Sequence, residues 1–187
     1  MKNLFGLFIS ICLLYLAVVG CGRKQELQEQ HLNKGEFSWK DNLGIGDLPD
    51  YPVKGYLNGQ EVRFSYVVFE KWRGSNDNVL MFSVNKPEQP CGFIENFSGF
   101  QLLNKGNSIA RGEWTKPKFE EDASTYHTFY KYVSAEGNSF KSDVLWNCTL
   151  KIESVSEKSV TGKIAICFND DKKSWIAGRF DALVCNN

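Results

Sequence analysis

The chain has 187 residues, with 22 Lys and Arg against 22 Asp and Glu, 42% hydrophobic residues, and 14 Phe, 5 Trp and 7 Tyr. That length suits one folded domain, and so much large apolar mass excludes a chain that stays disordered. A formal charge of zero offers no basic stripe to a phosphate backbone, which excludes nucleic acid as the expected partner.

Residues 1–20 read as a signal peptide. They carry one charge, Lys2, then an apolar run from Leu4 to Val19, and end at the small residue Gly20. A basic start, a short apolar segment and a small residue at the cleavage point are the three parts of an export signal. A membrane-spanning anchor would need about 20 apolar residues and basic flanking residues.

Val18-Val19-Gly20-Cys21 resembles the lipobox of bacterial lipoproteins, with Val where that pattern most often has Leu. The resemblance covers only the first 22 residues or so. It implies that Cys21 is acylated, with palmitate among the chains, and becomes the first residue of a protein anchored in the cell envelope. Each buried methylene adds about 0.8 kcal/mol, so several chains hold a protein at a membrane where one holds it only marginally. Gly22 follows the cysteine where an inner-membrane lipoprotein would carry Asp, which implies the outer membrane where two membranes exist. A plainly secreted protein is the alternative.

Residues 21–36 form the lipidated cysteine and a tether. From 22 to 36 the only large apolar positions are Leu27 and Leu32 among Gln, Glu and Lys. Such a segment cannot bury enough surface to order itself, and as a flexible chain it spans roughly 20 Å.

Residues 37–187 read as one β-rich domain. From Tyr51 onward, β-branched and aromatic runs alternate with turn clusters about every ten residues, and no long segment has a helical apolar period. The clearest hairpin joins 53–57 to 60–64 through Asn58-Gly59, the favoured pair for a type I′ turn, with Gly55 opposite Val62. Its second strand is expected to continue through Tyr66 and Val68. Further strands are expected at 79–84, 97–103, 108–114, 125–133, 145–155, 160–168 and 175–184. The fold expected is all-β, an antiparallel β-sandwich. The alternative is a closed β-barrel resembling the lipocalins, although Gly112-Glu113-Trp114 lies mid-chain where their Gly-x-Trp belongs near the barrel start.

Of six cysteines, Cys12 leaves with the signal and Cys21 is the acylation candidate. Cys91, Cys148, Cys167 and Cys185 remain, and in an exported domain they read as two disulfides. Two registers of the C-terminal hairpin compete. Pairing Leu150 and Ile152 with Ile166 and Ile164 matches the apolar faces and separates Cys148 from Cys167. A slip of one residue brings the two thiols opposite each other. Proximity in sequence favours Cys148–Cys167, accommodated by a bulge, with Cys91–Cys185. No zinc-type cysteine spacing is present, and no metal or cofactor is expected.

Little points to catalysis, and a non-enzyme is expected. His127 is the one histidine in a strand; no G-x-S-x-G turn accompanies it. The acidic runs Glu120-Glu121-Asp122 and Asp170-Asp171 read as solvated loops, the second as a hairpin turn. The aromatic excess is the binding signal. Trp72 and Trp114 fall near strand ends, and Tyr126, Tyr130 and Tyr132 share one strand face, so these five are the candidate ligand-binding residues. The resulting expectation is a lipid-anchored envelope module that binds a protein or glycan without catalysis. A barrel carrying a hydrophobic small molecule, and a hydrolase whose site only the fold assembles, are the alternatives.

Overall fold

A computed structural model describes residues 36–72, 75–106, 109–123, 125–133, 139–142 (backbone alone) and 144–185. The signal peptide, Cys21 and the tether up to residue 35 lie outside the described residues. Among those described, no helix is long and apolar enough to cross a membrane.

The domain is all-β. Eleven strands are described: β1 (Lys54–Leu57), β2 (Gln60–Arg63), β3 (Tyr66–Lys71), β4 (Asn78–Ser83), β5 (Gly99–Asn104), β6 (Gly112–Lys116), β7 (Tyr126–Val133), β8 (Ser139–Ser142), β9 (Trp146–Val155), β10 (Ser159–Phe168) and β11 (Trp175–Cys185). They form one sheet in the order β6-β9-β10-β11-β3-β4-β5-β7-β8, curled into a half-barrel. Neighbours are antiparallel except β11 and β3, which run parallel from Leu183 opposite Val68 to Cys185 opposite Glu70. The start of the same β11 edge is taken by β1, with Gly55 opposite Ile176.

The Asn58-Gly59 turn forms as expected, both residues having positive φ (51° and 77°), and Gly55 faces Val62. The predicted continuous second strand is instead two, β2 and β3, broken at Phe64-Ser65. The break lets Ser65 N–H bond to Ser83 O at 3.0 Å, so the chain leaves β1 and begins pairing with β4.

Side chains alternate across the sheet as the two-residue period demands. The concave side is filled by Leu80, Phe82, Phe100, Ile164, Ile166, Phe168, Ile176 and Phe180. Phe82 and Phe100 stack at 4.5 Å, and Phe180 meets Phe82 edge-on at 5.3 Å. The two ends of the curled sheet meet through rings: Trp114 of β6 lies 4.1 Å from Tyr126 of β7, and Phe168 of β10 lies 4.9 Å from Tyr130. Packing across the interior is therefore face to face, as in a sandwich, while the hydrogen-bonded sheet is single.

The convex side is also covered. The segment from Phe37 to Tyr51 lies over β10 and β11, burying Phe37 and Leu43 with Ala165, Cys167, Trp175 and Ala177. Trp39 Nε1 donates to Phe168 O at 2.8 Å, and Asn147 Nδ2 donates to Lys40 O at 3.1 Å. The loop from Val84 to Ser98 covers β3 and β4, burying Ile94 with Val68, Val79, Met81 and Cys185.

Cys91 and Cys185 form a disulfide, as expected, linking positions 94 residues apart. The expected Cys148–Cys167 bridge is corrected: both are buried free thiols. Near the β9–β10 turn the register runs Val155–Val160 and Ser154–Thr161, which if continued would set Cys148 opposite Cys167. A bulge between Thr161 and Gly162 slips it by one residue, so Ile152 faces Gly162, Cys148 faces Ile166 and Cys167 faces Asn147. A one-residue slip exchanges faces. Cys148 joins the concave core and Cys167 the convex cluster under Phe37.

Candidate functional site

An apolar surface lies on the convex side of β3, β4, β5 and β7. Direct cross-strand partners share a face, so Glu70 and Val79, Val68 and Met81, Met81 and Gln101, and Gln101 and Phe129 project together from it. The loop from Val84 to Ser98 crosses one side of this surface, its Ser98 hydroxyl accepting from Val133 N–H of β7 at 3.3 Å. A groove of about 370 Å³ is left, lined by Glu70, Trp72, Met81, Gly92, Phe93, Ile94, Phe97, Gln101 and Phe129.

The loop is fixed by several bonds. Val84 N–H bonds to Ser98 O at 2.8 Å, Asn85 Nδ2 to Asn96 O at 2.8 Å, and Cys91 N–H to the Tyr66 hydroxyl at 2.9 Å. Cys91 itself has a left-handed φ of 64°, a conformation that costs on the order of 1 kcal/mol and persists where surroundings impose it. Its bond to Cys185 anchors the loop to the end of β11. A link over so many residues typically contributes about 2–4 kcal/mol.

The groove's walls are aromatic and unusually exposed: Phe93 is 75% exposed and Trp72 40%. At its floor, Gln101 Nε2 donates to Met81 Sδ at 3.3 Å. Gln101 Oε1 is buried without a hydrogen-bond partner.

The five predicted binding residues separate into three places. Trp72 stands at the convex groove. Trp114 and Tyr126 pack against each other at the seam, beside a cavity of about 250 Å³ that Asn104, Arg111, Leu150 and Ile152 also line. Asn104 Nδ2 donates to the Tyr126 hydroxyl at 3.2 Å. Burial raises the Tyr126 hydroxyl's pKa. Tyr130 is 3% exposed, its ring on Phe168 and its hydroxyl donating to the Asp170 carboxylate; Tyr132 is packed against the same core. The shared face of β7 is thus concave and mostly spent on packing. Phe93, Phe129, Gln101 and Glu70 were missed in sequence. The opposite face of β7, with His127 and Phe129, and the doubly apolar run Val79–Phe82 carried a signal for a second buried face.

His127 is exposed and, among the described residues, bonds to no carboxylate or hydroxyl. It shares a broad depression of about 650 Å³ with Glu120, Glu121, Asp122, Lys116 and Trp146. Lys116 is 5% exposed, and its ammonium donates to Lys118 O, Phe119 O and Trp146 O at 2.7, 2.8 and 2.6 Å. Those bonds fasten the chain after β6 onto β9; burial lowers the ammonium's pKa. Burial also pushes the Cys167 thiol up to about 12 and raises Cys148 further from ionisation, the opposite of a thiolate nucleophile. Among the described residues, no three His, Cys, Asp or Glu side chains gather to hold a metal ion. Asp170 serves as the expected turn residue, its carbonyl accepting from Lys173 N–H at 3.0 Å.

No family model matches the chain, and no solved structure matches it.

Proposed function

We propose that this chain is a lipid-anchored, non-catalytic module of the bacterial cell envelope, held through Cys21 and docking a protein partner in its convex groove. The observation that carries the reading is the pair of exposed rings, Trp72 and Phe93, walling a concave surface that a disulfide-pinned loop pre-forms. Exposed aromatic side chains around a depression are the residues that anchor protein interfaces. A pre-formed groove spares the partner much of the ordering cost of association.

A protein suits the groove better than a glycan. Sugar rings need several hydrogen-bonding partners besides a stacking face, and Gln101 and Glu70 are the polar side chains among the described groove lining. Anchoring rests on the lipobox-like segment alone, and the near-neutral charge of the domain agrees with a partner other than nucleic acid.

The test is capture of envelope proteins by the full acylated chain, compared with the Trp72→Ala/Phe93→Ala double variant and a Glu61→Ala control on β2, beside the opposite end of β11. A partner retained by wild type and control but lost by the double variant is expected. Equal retention by all three overturns the docking site. In parallel, Cys21→Ala should move the protein from membrane to soluble fractions and remove incorporated labelled fatty acid; continued membrane partition without label overturns the anchor.

A further inference from the structure

We propose a second docking site, separate from the convex groove: the seam between β6 and β7 takes an extended segment of a partner protein as an added strand, with a basic residue at the segment's amino end. The alternation of antiparallel ladders tells which way each main-chain group points. Lys105 N–H bonds to Thr125 O at 2.9 Å, so the odd-numbered residues of β7 bond to β5, and Tyr126 and Thr128 aim their main-chain groups at the seam. β8 takes up that edge of β7 only from Tyr130 to Val133. On the other side, Asn169 N–H bonds to Leu145 O at 2.8 Å. The odd-numbered residues of β9 therefore bond to β10 and the even-numbered ones to β6, which leaves Glu113 and Thr115 of β6 facing the seam. Tyr126 N–H is taken by Ala123 O at 3.0 Å. Among the described residues, nothing pairs with Tyr126 O or with the N–H and C=O of Thr128, Glu113 and Thr115. Thr128 is buried, and unpaired main-chain groups on a buried residue are rare. The two edges share one gap, since Trp114 and Tyr126 touch and both border the cavity of about 250 Å³.

These edges choose their occupant. An extended main chain offers donors and acceptors on both sides at the spacing of a strand, which is how sheet edges recognise peptides. β6 and β7 run in the same direction around the sheet, so one guest can lie antiparallel to both, the more stable pairing. Such a guest continues the course of β8 where the chain turns away into β9. Trp114 and Tyr126 already fill the concave side, so the inward side chains are small. A hydroxyl among them suits Asn104, which lines the cavity, is buried, and leaves Oδ1 without a partner. At the Lys116 end of the seam, Glu120 and Glu121 border the depression of about 650 Å³. Lys116 attracts both carboxylates but gives its hydrogen bonds to three carbonyls, and among the described residues neither glutamate has a hydrogen bond or close ion pair. The antiparallel guest brings its amino end there, where a lysine or arginine meets both carboxylates.

The experiment reads amide hydrogen exchange at Thr115 and Thr128 by NMR in the full chain, titrated with acetyl-Lys-Ser-Val-Ser-Val-amide. Two further probes replace its lysine by norleucine or its central valine by proline. The lysine peptide should slow both amides by about tenfold at saturation. The norleucine peptide should bind severalfold more weakly, and the proline peptide should slow neither amide. Thr115→Pro should abolish the effect with an unchanged urea midpoint, because that N–H lies outside the β6–β9 ladder and an edge strand tolerates proline there. The Glu120→Gln/Glu121→Gln variant, altered only in an exposed loop, should bring the lysine peptide down to the norleucine level. Slowing of neither amide, of Thr115 alone, or equally by the proline peptide overturns the added strand. Equal binding of the lysine and norleucine peptides overturns the basic amino end. Slowing of both amides that grows with protein concentration in the absence of peptide shows a second copy in the seam and overturns the partner segment.

Discussion

Cys148 and Cys167 lie on adjacent strands and face opposite ways, and each is sealed in a different apolar cluster. Burial disfavours the thiolate at both positions, so in the folded chain they stay neutral and unreactive, while Cys91 and Cys185 carry the covalent link. Alkylation without reductant should therefore leave Cys148 and Cys167 untouched in the native protein and label both in denaturant; mass spectrometry reads the difference. The same burial predicts an alkaline limit. In the unfolded chain a thiol ionises near pH 8.5, whereas folded Cys167 holds its proton to about 12. The folded state then binds more protons than the unfolded state across that window, so this stability is whole below about pH 8.5 and is lost as pH rises toward 12. Urea midpoints measured from pH 8 to 10 should fall for wild type and fall less for Cys167→Ala. Parallel slopes would show that the thiol does not contribute.

At the scale of elements, local chemistry was legible wherever neighbours in sequence decided the outcome. Asn58-Gly59 specified its turn, and the long alternating runs of β9, β10 and β11 fell within a residue or so of their observed bounds. The bulge in the β9–β10 pair was not legible, because the reason for it comes from a third strand. A Cβ on Gly162 would stand 2.2 Å from Lys151 O and 2.8 Å from Phe180 Cζ, so Phe180 of β11 and the displaced β9 carbonyl together occupy the space that a side chain would need. Phe180 in turn packs on Phe82, and the register that separates the thiols follows from how the core is filled. Gly162→Ala should lower stability by roughly 1–3 kcal/mol, the range for overfilling a close-packed site, seen as a lower urea midpoint with an unchanged slope. A neutral substitution would mean the bulge has slack that the contacts do not suggest. The groove's loop was legible only in part: its Cys91–Cys185 link was expected, whereas nothing in the sequence near Cys91 indicates that the loop lies over Val68 and Val79 or that the Tyr66 hydroxyl holds the Cys91 amide.

For the molecule as a whole, composition announced a large aromatic core and alternation announced strands, yet the way the sheet curls depends on contacts between its ends. Those ends are joined by rings, Trp114 on Tyr126 and Phe168 on Tyr130, and not by a described ladder of backbone hydrogen bonds. β10 is different: it pairs along nearly its whole length with β9 on one side and β11 on the other, and Ile164, Ala165, Ile166, Cys167 and Phe168 are fully buried. β6 pairs only with β9 among the described strands, and β2 only with β1. Local openings draw on segments with few buried contacts and one-sided pairing. Native-state hydrogen exchange should accordingly find the inward amides of β10 exchanging only through global unfolding, with a free energy equal to that from urea. The amides of β2 and β6 should exchange through smaller openings that depend weakly on denaturant. Equal protection of β6 and β10 would mean that the aromatic seam closes the sheet as cooperatively as hydrogen bonds close a barrel, and the half-barrel would then behave as a single unit.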